Sequence, residues 1–309
     1  MLFQHTTSAF QAVILITLSL LLAIPAQAAD HAAAPNKGKL YLVGLGTGDA
    51  DNMTIRARDT IARADIIFAM QGVRDEFAEL FKGKAVYDSG HGLFGRMAKK
   101  KQPTREVQAA KDKTDPAEST HQALTKRNRK PPKEIQKQQE ETRKIIREAV
   151  AAGKTVAVLD NGDPMIFGPH VGYLQEFADL APEVVPGLSS FNAANAALKR
   201  DVTRGKQSSS VILTAARGAR EGYQGKDSLA KLAESQSSLV FYTMGMNLAE
   251  VVDVLKKSYP ADTPMAIVFH AGSKKEEQVL KATLETIVQE TKGRELPFEH
   301  LIYVGDFLQ

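Results

Sequence analysis

The chain has 309 residues, 40 Lys/Arg against 36 Asp/Glu, a net charge of +4 and no cysteine. Without Cys, disulfides, thiolate nucleophiles and Cys-ligated metal sites are all excluded. The basic excess is local: residues 96–133 hold twelve Lys/Arg and four acids, so the rest of the chain is slightly acidic and the charge says little about the fold.

Residues 12–25, AVILITLSLLLAIP, form an apolar run, and Ala26-Gln27-Ala28 follows with the small-x-small pattern of a cleavage site. The run is shorter than the ~20 apolar residues of a spanning helix. No Lys or Arg precedes it, only His5. The working expectation is a signal peptide over 1–28, cleaved after Ala28, and a periplasmic or otherwise exported protein. An inner-membrane anchor formed by residues 12–28 and a misplaced start codon stay open. No later stretch is long and apolar enough to span, so the mature chain is expected to be soluble.

Lys39–Leu45 reads as a buried strand stopped by glycines. Thr54 suits the N-cap of a helix over 55–64 whose apolar positions are Ile55, Ala57, Ile61, Ala62 and Ala64. Asp65–Ala69 is a second strand, so the three elements predict a parallel βαβ unit. Residues 96–133 lack apolar periodicity and hold four prolines, which predicts a mostly disordered or loosely helical insertion. Glu134–Ala152 reads as a helix with Ile135, Ile145, Ile146 and Val150 on one side and Gly153 as its stop. Thr155–Leu159 and Glu183–Val185 are further strands. Beyond the boundary expected near Pro186-Gly187, strands are predicted at 210–214, 238–243, 265–270 and 300–304, with helices at Leu248–Ser258 and Glu276–Glu290.

Three glycine-bearing turns follow predicted strands. The first is Gly44-Leu45-Gly46-Thr47-Gly48-Asp49, the second Asp160-Asn161-Gly162-Asp163-Pro164-Met165-Ile166-Phe167-Gly168, the third Val185-Pro186-Gly187-Leu188-Ser189-Ser190. Ligands of parallel sheets bind beyond the carboxyl ends of strands, where glycines let backbone approach closely. The first turn is neither the dinucleotide fingerprint, since Asp49 stands where a third Gly is needed, nor a phosphate-binding Gly-Lys-Ser/Thr loop. A plain tight turn remains open for it, and helix capping alone remains open for Ser189 and Ser190.

The ordered set GxGxGD, GDPxxFG and VVPGxSS resembles the tetrapyrrole methylases. Phe241-Tyr242-Thr243-Met244-Gly245, Thr263–Val268 and Leu301–Gly305 agree, and the likeness runs from about Lys39 to Leu308 with 96–133 as extra material. The resemblance implies an α/β fold of two domains, 37–186 with a mostly parallel sheet and 187–309 with a mixed one, enclosing a cofactor cleft, usually as a homodimer. It implies an S-adenosylmethionine-dependent methyltransferase of porphyrin or cobalamin biosynthesis acting on a tetrapyrrole or corrinoid-precursor ring. Cofactor contacts carry over to Thr47, Asn161, Gly162, Asp163, Ile166, Ser189, Ser190, Met244 and Ala271.

The chain departs from the family pattern in places. Thr47 replaces a Pro, and Asn161 the first Gly of Gly-Gly-Asp. Ala69-Met70-Gln71-Gly72 stands where uroporphyrinogen methylases carry Tyr-Asp-Arg-Leu with its proton-accepting Asp, and their Gly-Lys proton donor has no match around Tyr87–His91. These differences point away from uroporphyrinogen as substrate and leave the catalytic residues unknown. The seven histidines form no HExxH and no close pair, so no metal site is expected. His91, His170 and His270 lie near strand ends, and His91 is the one suited to proton transfer. Because the methyl donor is made in the cytosol, an exported non-catalytic tetrapyrrole- or corrinoid-binding protein is the alternative. The basic insertion lacks interleaved aromatics, so nucleic acid is not an expected partner.

Overall fold

Apolar β-formers with turn residues at their ends become ten strands among the described residues, which are 38–95, 131–215, 223–243, 246–294 and 296–309 of a computed structural model. The predicted signal peptide, nearly all of the insertion, and Met244 lie outside these residues.

The first sheet holds β1 (Lys39–Gly44), β2 (Ile66–Ala69), β3 (Ala85–Asp88), β4 (Thr155–Asp160) and β5 (Glu183–Val185), all parallel, in the order β3-β2-β4-β1-β5. β1 and β2 are parallel as expected, but β4 lies between them. Helix α1 (Ile55–Arg63) connects them, and the Thr54 side chain caps it by accepting from the Ala57 N–H. Two of the positions expected on its apolar face are outside the core: Ile55 is 71 % exposed and Ala62 is exposed too. The buried stripe runs instead through Ala57, Thr60, Ile61 and Ala64, at helical spacing.

Strand alternation sends two side-chain sets to opposite faces of this sheet. Val43, Ile67, Ala157 and Leu159 meet α1 together with Phe77 and Phe81. Leu40, Leu42, Phe68, Val156 and Val158 meet Ile146, Tyr173 and Phe177. Each fully buried side chain of this kind contributes about 1.5–3 kcal/mol. Between β2 and β3 runs the short helix α2 (Gln71–Glu76). Ile146 belongs to α3 (Pro132–Ala151), which begins two residues before the expected Glu134 because Pro fits the first helical position. Tyr173 belongs to α4 (Gly172–Glu176), and Arg143–Glu176 and Arg147–Asp179 ion pairs lash α3 across that segment.

The second sheet is mixed. It holds β6 (Val211–Thr214), β7 (Ser238–Tyr242), β8 (Pro264–Phe269), β9 (Gln278–Thr283) and β10 (His300–Val304) in the order β6-β7-β10-β8-β9, with only β6·β7 parallel. Helix α5 (Ser190–Leu198) packs Ala193, Ala194 and Leu198 on one face; α6 (Leu229–Glu234) and α7 (Leu248–Leu255) pack on the other.

Glu276–Glu290 is not the expected helix. Its first part is β9, paired antiparallel to β8 from Pro264↔Thr283 to Phe269↔Gln278, and only α8 (Ile287–Glu290) is helical. The Glu/Leu/Lys composition mimics a helix, but the open edge of β8 offers a full ladder, and tertiary pairing overrides local propensity. β3 was not anticipated at all, being a four-residue strand with no clear apolar run. No described helix is long and apolar enough to cross a membrane.

Candidate functional site

The three glycine turns leave the carboxyl ends of β1, β4 and β5 and interlock. The Gly46 N–H donates to Gly162 O at 3.2 Å and the Gly162 N–H donates to Gly46 O at 2.7 Å, forming an isolated antiparallel bridge. Gly187 presses on both: a Cβ there would sit 2.1 Å from Gly162 O and 2.8 Å from the Gly44 backbone. Here glycine serves close approach.

The first turn also meets the loop after β8. Asp49 N–H donates to Gly272 O at 3.0 Å, and Asn52 Nδ2 donates to Thr47 O and Gly272 O, both at 2.9 Å. A Cβ on Gly48, whose φ is +72°, would fall 2.1 Å from Gly272 C. Strand ends of both sheets therefore bound one cleft of about 690 Å³, a size usual for small-molecule sites.

Thr47, Asn161, Gly162, Asp163, Ile166, Ser189, Ser190 and Ala271 all line this cleft. Met244, the ninth residue named from sequence, lies outside the described residues. Ser189 is committed to its helix: its buried hydroxyl accepts from the Asn192 N–H at 3.3 Å and donates to Asn192 Oδ1 at 2.6 Å. Asp163 Oδ1 accepts from the Met165 N–H at 2.7 Å, so a turn-capping bond is present while the residue still faces the cleft.

Several lining residues were not named from sequence. Phe167 sits in the quoted second turn, holds a left-handed backbone (φ 58°), and brings its ring 4.6 Å from Tyr242. Such a conformation in a bulky residue costs about 1–3 kcal/mol and tends to cluster at functional sites. The Tyr242 hydroxyl is buried with no hydrogen-bond partner. Burial pushes its phenol up, while the Ser190 and Ser189 hydroxyls, near but outside bonding geometry, pull it back. Tyr242 is the last residue of β7 and lies inside the strand predicted at 238–243, two residues before Met244, which was its available signal.

Glu76 at the end of α2 had no sequence signal. Burial first, then the Glu299 and Asp49 carboxylates, raise its carboxyl above the ordinary range. His300 Nδ1 donates to Pro297 O at 2.5 Å and stands 3.3 Å from Thr243 Oγ1, whose hydroxyl donates to the His300 carbonyl at 3.0 Å; burial lowers its pKa despite the Pro297 carbonyl.

Of the three histidines noted from sequence, His91 is exposed and lines the cleft, and His270 lines it with Nδ1 3.3 Å from Glu299 Oε2. His170 is fully buried behind the second turn, 3.3 Å from Asp160 Oδ2. Among the described residues no group of three His, Cys, Asp or Glu is arranged to hold a metal ion.

The family model described as Tetrapyrrole (Corrin/Porphyrin) Methylases matches residues 39–288. The chain belongs to that family. It is 28 % identical over 279 residues to the cobalt-precorrin-4 C(11)-methyltransferase of Methanocaldococcus jannaschii, covering 88 % of this chain and 89 % of that protein. Siroheme synthase 1 of Klebsiella pneumoniae is 27 % identical over 88 % of the chain, which spans 49 % of that longer protein. Among solved structures, a cobalt precorrin-4 methyltransferase superposes with a TM-score of 0.61 at 20 % identity, over 88 % of this chain and 96 % of that one. The uroporphyrin-III C-methyl transferase of Thermus thermophilus, solved with S-adenosyl homocysteine, gives 0.57 at 22 % identity, covering 88 % of this chain and 99 % of that one. This tetrapyrrole methylase thus shares its relatives' fold along most of its length.

Proposed function

We propose that the protein is an S-adenosylmethionine-dependent methyltransferase acting on a tetrapyrrole or corrinoid-precursor ring, working as a homodimer. The observation that carries this reading is the convergence of eight residues, named from three separate turns and one C-terminal loop, on a single cleft. The names of the relatives support it, since they are methyltransferases of such rings.

The cleft suits the cofactor chemically. Its floor offers strand-end backbone amides and carbonyls of the interlocked glycine turns, and Gly187 leaves no side chain in the way. The buried Tyr242 hydroxyl lacks a partner, and Asp163 Oδ1 alone is taken by its turn. Asp163 would accept from the cofactor's ammonium or ribose hydroxyls, and Ile166 and Ala271 would wall its apolar part. When bound, the cofactor supplies a methyl group on a sulfonium for in-line attack by a nucleophilic ring carbon. The protein's own part is to orient both partners and exclude water.

Calorimetry and thermal shift with S-adenosylmethionine and S-adenosylhomocysteine at millimolar concentration test the reading. Heat and a raised melting temperature are expected. No response to either ligand would sink it.

A further inference from the structure

Where the first glycine turn meets the loop after β8, the joint is built around one side chain. Asn52 ends the single turn of 3-10 helix, Ala50–Asn52, that follows the first glycine turn. A carboxamide nitrogen carries two N–H donors, and Asn52 Nδ2 has two acceptors, Thr47 O and Gly272 O, each at 2.9 Å. Because both acceptors are backbone carbonyls, they also decide which end of the amide is nitrogen. A strand-end turn of the first sheet and a loop of the second are thus held by the same atom.

Glycines close around this amide. A Cβ on Gly46, at φ +86°, would sit 2.6 Å from Asn52 O, and one on Gly272, at φ +87°, would sit 2.8 Å from Asn52 Nδ2 and from Thr47 O. Left-handed backbone and lack of room both call for glycine there. Among the described residues no other group donates to Thr47 O. Removing the Asn52 amide would leave that carbonyl unpaired in a half-buried joint, which is costly. Gly272 O keeps a second donor in the Asp49 N–H. The neighbouring Lys274–Asp51 ion pair is exposed and contributes little.

The two bonded carbonyls belong to cleft walls. Thr47 lines the cleft on one side, and Ala271, joined to Gly272, lines it on the other, whereas Asn52 is not among the lining residues. Thr47 stands between two glycines of positive φ, Gly46 and Gly48, where nothing covalent restricts the turn. A proline at that position would fix its φ. On the methyl-transfer reading above, we propose that Asn52 is a positioning residue for the cofactor. It sets the Thr47 turn and the Ala271 loop at a fixed spacing across the cleft, and its two hydrogen bonds supply the restraint that a proline ring at 47 would give.

The test uses the full chain and S-adenosylhomocysteine, titrated by calorimetry well below the melting temperature. Asn52→Leu keeps the bulk and removes both donors. Asn52→Asp keeps the shape but sets oxygens against the two carbonyls. Each is expected to bind at least about tenfold more weakly, the scale of one or two ordinary hydrogen bonds. Adding Thr47→Pro to Asn52→Leu should recover most of the affinity, a rescue that a merely structural role would not produce. Tyr259→Phe is the control for stability alone. It removes a buried bond to Ser237 O at 2.6 Å away from the cleft lining, so it should lower the melting temperature and leave affinity unchanged.

Unchanged affinity in either folded Asn52 variant overturns the proposal, and so does a double variant that recovers nothing. Failure of all three Asn52 proteins to fold overturns it as well, because the side chain would then serve the whole fold and not the site. If the wild type binds S-adenosylhomocysteine and the variants bind it equally, only the role of Asn52 falls. If the wild type gives no heat, the methyl-transfer reading falls and takes this role with it.

Discussion

Asp163 can serve two masters because a carboxylate has two oxygens. Oδ1 holds the Met165 N–H of its own turn, and an Asn at this position keeps an oxygen there. Asp163→Asn is therefore expected to change stability by less than about 1 kcal/mol. Loss of a charge-assisted bond of roughly 1.5–3 kcal/mol should weaken cofactor affinity roughly ten- to a hundredfold. Melting temperature and calorimetric affinity on one variant separate the roles: a destabilised protein with unchanged affinity would remove Asp163 from the site.

Glu76 gives a pH prediction of definite sign. Its carboxyl titrates higher in the folded protein than in the unfolded chain, so the folded state binds the extra proton in that window. Stability is lost as pH rises through it. Glu76→Gln should then melt above the wild type at neutral pH, with the gap closing once the carboxyl is protonated in both states. A variant less stable at neutral pH would mean Glu76 has a favourable partner. Residue-scale legibility followed the same divide. That Thr47, Asn161 to Asp163 and Ser190 border the cleft was readable because they sit in successive turns with glycine and proline around them. Glu76 and Glu299 reach the cleft from α2 and from the lead-in to β10, and no local pattern marks such long-range meetings.

At the scale of elements, buried strands were the legible part. β1, β4, β7, β8 and β10 are runs of Val, Leu, Ile and Phe, and their bounds fall within a residue or so of expectation. Elements whose existence depends on a neighbour were not legible. β9 has the composition of a surface helix and is a strand because β8 presents an unpaired edge. β3 reads as loop from its four residues and exists because Ile66 to Ala69 pair with it one for one. The length of α3 was nearly right, since its amphipathic pattern is long and Gly153 ends it with a left-handed φ of 78°.

For the whole molecule, the proposal with most consequence is export. The apolar run and Ala26-Gln27-Ala28 motivate it, and mature protein beginning at Ala29 is expected in the periplasmic fraction by N-terminal sequencing. Intact Met1 in the cytosolic fraction would refute it. That result would also give the enzyme direct access to its methyl donor. The exported alternative must instead explain a site without a local supply.

The strand order β3-β2-β4-β1-β5 carries a kinetic implication. β1 and β2 do not bond to each other; β2 finds β3 soon after it, but β1 waits for β4, where Lys39 meets Thr155 while Ile66 of β2 meets Val156. Everything between, including the long basic stretch, must emerge from the ribosome before the first sheet can close. Such non-local parallel pairing makes for slow folding, and a nascent chain lacking β4 has β1 without a partner and β2 paired along one edge only. The N-terminal half therefore stays threadable through its own synthesis, and chaperone capture should peak before residue 160 appears.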